Sequence, residues 1–232
     1  MEPVLVTAFL HQNTHYQDLE FYINNGKLLL ETDFRKIIFM SKHIIPYFEN
    51  LRSKNNVFVE YDIENMYLHK YLDKLQHNTC GNSNKDTNTF FAIMCNKTEF
   101  IRKAIEDNIF MTDHYFWIDF GIYKIFKENL CIENLKKHYN NVRIGNIWDL
   151  HTKRNNNLFQ QISWYFAGGV FGGHKTKLLR FADMMKKETL EFIENNNYLL
   201  WEVNLWYILY LKEPELFSPY NCDHNNTIVN NY

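Results

Sequence analysis

The sequence from residue 115 to residue 121 reads Tyr115-Phe116-Trp117-Ile118-Asp119-Phe120-Gly121. Its first four residues are apolar and predict a buried strand that ends at Asp119, after which Gly121 allows the chain to turn sharply. In open α/β sheets the carboxyl edge of the strands is where ligands bind. The stretch therefore predicts an α/β fold with a ligand site beside Asp119, although a lone Asp at a strand end is also common as a turn residue.

Six more short runs of apolar, β-branched or aromatic residues predict strands. They are residues 4–10, 36–40, 56–60, 89–95, 141–144 and 163–170. Helical spacing of apolar residues predicts helices over residues 64–75, 178 to about 194, and 198–211. A further helix is predicted to begin at a capping box formed by Asn96 and Glu99 and to end near residue 108. Strands that alternate with helices predict a mostly parallel central sheet flanked by helices.

The composition predicts one domain that spans residues 1–232, because 46% of the residues are hydrophobic and can form a full core. Within it, the polar stretch 77–88 is expected to be an exposed loop, and residues 224–232, which offer little to pack, a mobile tail. The 27 acidic residues nearly balance the 25 basic ones. No broad basic field is therefore available for nucleic acid, and no nucleic-acid partner is expected.

The sequence predicts a soluble, cytoplasmic protein. No stretch approaches the roughly 18 uncharged apolar residues of a membrane span, and the first ten residues lack a basic leader. The four cysteines show no paired spacing, which indicates a reducing compartment and argues against a zinc knuckle or a disulfide framework.

Four of the eight glycines fall in the segment Gly168-Gly169-Val170-Phe171-Gly172-Gly173. One interpretation is a phosphate-binding P-loop, but His174 stands where the motif needs its lysine and displaces Lys175 by one position. A second is a strand end that needs room for neighbouring aromatic rings. A third, which we favour, is a strand edge beside a sugar, where a Cβ would meet the ring.

Five segments, taken in order, resemble the HtrL/YibB (WlaTC-like) family over nearly the whole chain. They are residues 7–9 (Thr-Ala-Phe), 96–105 (Asn-Lys-Thr-Glu-Phe-Ile followed by Ala-Ile), 116–122 (Phe-Trp-Ile-Asp-Phe-Gly-Ile), 167–173 (Ala-Gly-Gly-Val-Phe-Gly-Gly) and 214–220 (Pro-Glu-Leu-Phe-Ser-Pro-Tyr). That family is similar to glycosyltransferases of the GT-A fold, which use a nucleotide-sugar donor and commonly manganese. The resemblance implies a GT-A-like fold for this chain.

The resemblance also implies roles for individual residues in the donor site. Thr7, Ala8 and Phe9 would line the base and ribose pocket, Lys97 would lie near the diphosphate, and Gly168 and Gly169 would flank the sugar. Asp119 would occupy the first position of an Asp-x-Asp motif, with Trp117 and Gly121 beside it. Because Gly121 stands where the second Asp is expected, the resemblance leaves the use of a divalent cation, expected to be Mn²⁺, open.

Two further residues complete the predicted site. Glu202 falls where the resemblance places an acidic element opposite the sugar, with Trp201 in place of its first acid, and it would orient hydroxyls or act as a base. A surface position on a helix is the other interpretation of Glu202. His224, which follows Asp223, is a candidate manganese ligand together with Asp119, whereas a solvent-exposed pair is the plainer expectation.

The predicted function is the transfer of a sugar from a nucleotide-sugar donor to an acceptor hydroxyl in glycan synthesis. The alternative is a degenerate transferase fold that binds carbohydrate or serves as a scaffold, because Gly121 and Trp201 replace expected acids. If the glycines border the sugar, replacing Gly168 or Gly169 with Val is expected to block sugar binding and to leave the fold intact.

Overall fold

The computed structural model describes residues 1–11, 18–78, 82, 85–152, 154 and 157–232. These residues form a seven-stranded sheet with helices on both faces. The strands are β1 (Val4–Phe9), β2 (Lys36–Met40), β3 (Asn56–Glu60), β4 (His114–Ile118), β5 (Val142–Asn146), β6 (Phe166–His174) and β7 (Phe217–Asn221). The α-helices are α1 (Leu19–Leu30), α2 (Asn88–Cys95), α3 (Lys97–Asp107), α4 (Lys175–Asn196), α5 (Glu202–Lys212) and α6 (Thr227–Asn230).

The sheet is mixed, with the strand order β3-β2-β1-β4-β6-β5-β7. Strand β6 runs antiparallel to both of its neighbours, β4 and β5, and the four remaining pairings are parallel. The prediction of a mostly parallel sheet therefore holds for the pairings other than those of β6.

Strand order reverses between β1 and β4. From β1 the chain continues to β2 and β3 on one side, and it returns to place β4 on the other side. Connections that leave a parallel sheet in opposite directions open a crevice at the carboxyl ends of the two strands. In this chain that crevice lies beyond Phe9 and Ile118.

Helix α3 packs against β1, β4 and α4, and this packing fixes where its first residue lies. Its buried face carries Phe100, Ile101, Ala104 and Ile105, the residues that the helical spacing predicts. The helix ends at Asn108, which adopts a left-handed conformation with φ of 43°. This position of the C-terminus also agrees with the sequence prediction.

Two of the predicted segments adopt a different secondary structure. Residues 89–95, predicted as a strand, lie in α2, whose N-terminus is capped by the Thr87 side chain, which accepts from the Phe90 amide. Residues 64–75 form short 3-10 turns, Ile63–Asn65 and His69–Lys74, and no continuous helix.

The capping box predicted at Asn96 does not form, because the Asn96 side chain makes no capping hydrogen bond. Asn96 is the single residue between α2 and α3 and has a helical backbone conformation, whereas a capping residue usually has an extended one.

The C-terminal residues 224–232 pack against the sheet, which corrects the expectation of a mobile tail. Ile228, Val229 and Tyr232 are buried, and the Asn226 and Asn230 side chains bond to the backbone of residues 127–131. Of the predicted loop 77–88, residues 79–81, 83 and 84 lie outside the described residues. Asn78 and Asp86 in this stretch are buried, and Asn88 already begins α2.

The glycine cluster lies within β6, which pairs with β4 on one side and β5 on the other. A P-loop is excluded because this backbone is extended and takes part in the sheet. Lys175 pairs with Asp113 at 2.7 Å, and His174 caps α4 through its side chain.

Gly172 and Gly173, the last two glycines of the cluster, allow neighbouring groups to pack closely against β6. A Cβ at Gly172 would collide with the Tyr232 hydroxyl and the Phe116 side chain, and Gly173 has φ of 149° and faces the Asn141 carbonyl. These two positions therefore match the interpretation of a strand that needs room, and they require glycine for the fold.

Across the described part of the chain, no helix combines the length and apolar character needed to cross a membrane.

Candidate functional site

A cleft of about 490 Å³ opens at the carboxyl ends of β1 and β4. Its walls come mainly from the ends of β1 and β4, the helix pair α2 and α3, the middle of β6, the start of α5 and the C-terminal segment, and helix α1 and the turn after Gly121 add to them. The lining residues include Ala8, Phe9, Tyr22, Lys85, Lys97, Trp117, Asp119, Gly121, Lys124, Trp164, Gly168, Gly169, Trp201, Glu202 and His224. The cleft therefore occupies the crevice where strand order reverses.

A buried ammonium group joins the elements at the floor of the cleft. The Lys97 Nζ lies 2.9 Å from Asp119 Oδ1, 2.9 Å from Glu202 Oε1 and 3.0 Å from the Gly168 carbonyl oxygen. An ammonium has three donors, and here each has an acceptor. Since Lys97 begins α3, Asp119 follows β4, Gly168 lies in β6 and Glu202 begins α5, this one side chain ties four elements together.

Burial and charge act against each other at Lys97. The side chain is 2% exposed and that of Glu202 7%, whereas that of Asp119 is 38% exposed. Burial disfavours the ammonium, but the two carboxylates together outweigh burial and raise the pKa of Lys97. The lysine therefore stays charged, and its donors are already occupied.

The two oxygens of Asp119 differ in their surroundings. Oδ1 accepts from the Trp117 indole at 2.7 Å and faces Lys97. Oδ2 has no hydrogen-bond partner among the described residues. Because the indole and the ammonium fix the carboxylate, its second oxygen is available to a ligand hydroxyl or cation in the cleft.

Gly168 and Gly169, the first two glycines of the cluster, lie beside this network, and Gly168 makes room for its charged groups. A Cβ at Gly168 would lie 2.5 Å from Glu202 Oε1 and 3.4 Å from Lys97 Nζ. A Cβ at Gly169 would lie 3.1 Å from the terminal methyls of Ile122 and Ile228. Gly168 is thus required by the Lys97 network, and both glycines also line the cleft.

We expect Gly168→Ala to lower the free energy of unfolding by about 1–3 kcal/mol, the range for overpacking a tight site, because Glu202 is packed at that position. The matched control is Gly169→Ala, whose neighbours are flexible methyl ends, and for it we expect a loss below about 1 kcal/mol. Urea denaturation of both variants measures the difference. Equal stabilities of the two variants would show that Gly168 does not make room for the buried network. Substitution of Gly168 would then leave the fold intact, as the sequence predicts for Gly168→Val.

The structure brings most of the predicted site residues together. Ala8, Phe9, Lys97, Trp117, Asp119, Gly121, Gly168, Gly169, Glu202 and His224 all line the cleft. Thr7 does not, because it is fully buried within β1. Glu202 is buried at the start of α5, so the interpretation as a surface Glu is wrong.

His224 lies against an aromatic ring at the rim of the cleft. Its imidazole meets the Trp164 ring edge-on, with the ring centroids 4.4 Å apart. Partial burial lowers the pKa of His224, and Asp223 acts in the opposite direction. The neutral form is therefore favoured near neutral pH.

Sequence reasoning missed several lining residues, and three of them carry aromatic or charged groups that face the predicted site. Tyr22 of α1 stacks on Phe9 with ring centroids 5.1 Å apart, Trp164 precedes β6, and Lys124 lies in the turn after Gly121. The position of Lys124, five residues after Asp119, is the one signal in the sequence that could have suggested its place in the site.

A divalent cation fits the described residues poorly. No group of three or more His, Cys, Asp or Glu side chains among them is arranged to hold a metal. Asp119 and His224 both line the cleft, but Gly121 offers no second carboxylate, and the Lys97 ammonium, which lies 2.9 Å from Asp119 and 2.9 Å from Glu202, occupies the place between the two carboxylates. The described residues therefore do not form a divalent-cation site.

Comparison with known proteins gives structural likenesses but no match by sequence. No protein-family model matches the chain, and no functionally curated protein matches it. The fold is similar to the crystal structure of mouse xyloside xylosyltransferase 1 in its apo form, with a TM-score of 0.49 and 9% sequence identity, over 96% of this chain and 86% of that chain. A likeness at this level assigns neither a family nor an activity to this chain.

Proposed function

We propose that this chain is a glycosyltransferase of the GT-A-like type that transfers a sugar from a nucleotide-sugar donor to an acceptor hydroxyl. The observation that carries the proposal is the place of the Lys97–Asp119–Glu202 network, which lies in a cleft at the carboxyl ends of β1 and β4. That crevice is the general binding place for nucleotides in open α/β sheets. The resemblance to the HtrL/YibB family is consistent with it.

The donor nucleotide would bind at the end of β1. Ala8 and Phe9 form the wall there, and the stacked rings of Phe9 and Tyr22 give the pocket a rigid aromatic side. The unpartnered Oδ2 of Asp119 would accept from a ribose hydroxyl. Asp119 is suited to this because Trp117 and Lys97 hold its other oxygen in place.

The sugar would lie over Gly168 and Gly169, where the absence of side chains brings backbone to the wall of the cleft. Glu202 Oε1 is held by Lys97, and its Oε2 has no hydrogen-bond partner among the described residues. This oxygen would accept from a sugar hydroxyl and orient the ring.

In the reaction, the acceptor oxygen forms a bond to the anomeric carbon, the bond from that carbon to the diphosphate oxygen breaks, and the acceptor proton leaves to a base.

Calorimetric titration with UDP-, GDP- and dTDP-sugars tests the proposal. We expect at least one donor to bind with a Kd in the micromolar to millimolar range, which is the usual range of substrate affinities. Absence of heat with every donor, both with and without MnCl₂, would contradict the proposal. Binding without any release of nucleoside diphosphate would favour the carbohydrate-binding or scaffold alternative.

A further inference from the structure

We infer that Lys124 is the residue that binds the diphosphate of the donor, and that this binding needs no divalent cation. The inference rests on the proposed function and adds to it the residue whose positive charge holds the donor diphosphate. It follows from three observations. The three donors of Lys97 are already used by protein groups, Lys124 lines the cleft beside Asp119, and the described residues fit a divalent cation poorly.

Lys97 cannot take this role without breaking the network that it organises. Its three donors are used by Asp119, Glu202 and Gly168, and the side chain is 2% exposed. A phosphate oxygen would have to displace one of these acceptors. Displacing a carboxylate would leave that group buried or half-buried beside an added anion.

Lys85 is engaged as well. Its Nζ lies 3.1 Å from Asp86 Oδ1, which belongs to a buried side chain, and 4.5 Å from the centre of the Phe90 ring. An incoming phosphate would compete with both contacts. Among the described lysines that line the cleft, this leaves Lys124, whose side chain makes no hydrogen bond or ion pair with the described residues.

Lys124 is well placed for an anion that binds next to Asp119. It lies in the turn Ile122–Ile125 that follows Gly121, it lines the cleft, and its side chain reaches solvent at the mouth. Desolvation in the cleft lowers its pKa; Asp119 raises it, whereas Lys85 and Lys97 lower it further. A diphosphate entering here would meet an unpaired ammonium and would reduce the repulsion among the three lysines.

The test is calorimetric titration of nucleoside diphosphates (UDP, GDP and dTDP) in EDTA and then in MnCl₂. The proteins are the wild type, Lys124→Met and the matched control Lys127→Met, an exposed lysine of the same segment that does not line the cleft. We expect the best diphosphate to bind wild type and Lys127→Met in EDTA, and Lys124→Met at least tenfold more weakly. Thermal unfolding of all three is expected to coincide because both lysines are exposed.

Three results would overturn the inference, and they separate it from the proposed function. Unchanged affinity in Lys124→Met, or binding that requires MnCl₂, would overturn this inference alone and would leave the glycosyltransferase proposal in place. Absence of binding to wild type in both buffers would overturn both.

Discussion

Replacing Lys97 with Met is expected to lower the free energy of unfolding by about 3–5 kcal/mol, the range for breaking a buried ion pair by removing one partner. The substitution leaves Glu202, which is 7% exposed, without its cation and removes the donor to the Gly168 carbonyl. Asp119 suffers less because it is partly exposed and keeps its bond from Trp117. Urea denaturation near neutral pH measures the loss.

A double-mutant cycle separates this effect from simple loss of packing. In Lys97→Met/Glu202→Gln the buried carboxylate is neutral, so we expect the double variant to be more stable than the sum of the two single losses predicts, by about 1–3 kcal/mol. Strict additivity of the two losses would contradict a coupled pair at the floor of the cleft.

Replacing Asp119 with Asn is expected to lower the rate of nucleoside diphosphate release from the donor by about 10²–10³-fold, the usual loss when one preorganised electrostatic group is removed from an active site. Asn keeps the size of the side chain and an oxygen that can accept from Trp117. It loses the charge that faces Lys97 and the carboxylate oxygen offered to the donor. A coupled assay for released diphosphate measures the rate.

The matched control is Asp113→Asn. Asp113 directly precedes β4 and Asp119 directly follows it, so the two carboxylates lie at opposite ends of the same strand. Asp113 is exposed and pairs with Lys175 away from the cleft. We expect this variant to retain the wild-type rate; an equal loss in both variants would place the chemistry elsewhere.

The local features of the fold could be predicted from the sequence because they depend on short-range patterns. The end of α3 at Asn108 follows from helical spacing, and the position of Asp119 after β4 follows from an apolar run and a glycine. The strand-end argument located Asp119. The other predicted residues that line the cleft came from the glycine motif and from the family resemblance. The antiparallel course of β6 has no comparable local signal.

The role of Lys97 could not be predicted, because its partners are distant in the sequence. Gly168 lies 71 positions away and Glu202 lies 105 positions away. Sequence reasoning placed Lys97 near the diphosphate, whereas the structure shows its three donors occupied by protein groups. In the same way, Gly172 is required by Tyr232, a residue of the segment that was expected to be mobile.

The most direct test of the account is a crystal structure of the chain with the nucleoside diphosphate that binds most tightly in the titrations. We expect the ribose within hydrogen-bond distance of Asp119, the base against the wall formed by Ala8 and Phe9, and the phosphates near Lys124. A diphosphate bound elsewhere on the chain, with the cleft at the ends of β1 and β4 empty, would contradict the proposal that this cleft is the donor site of a glycosyltransferase.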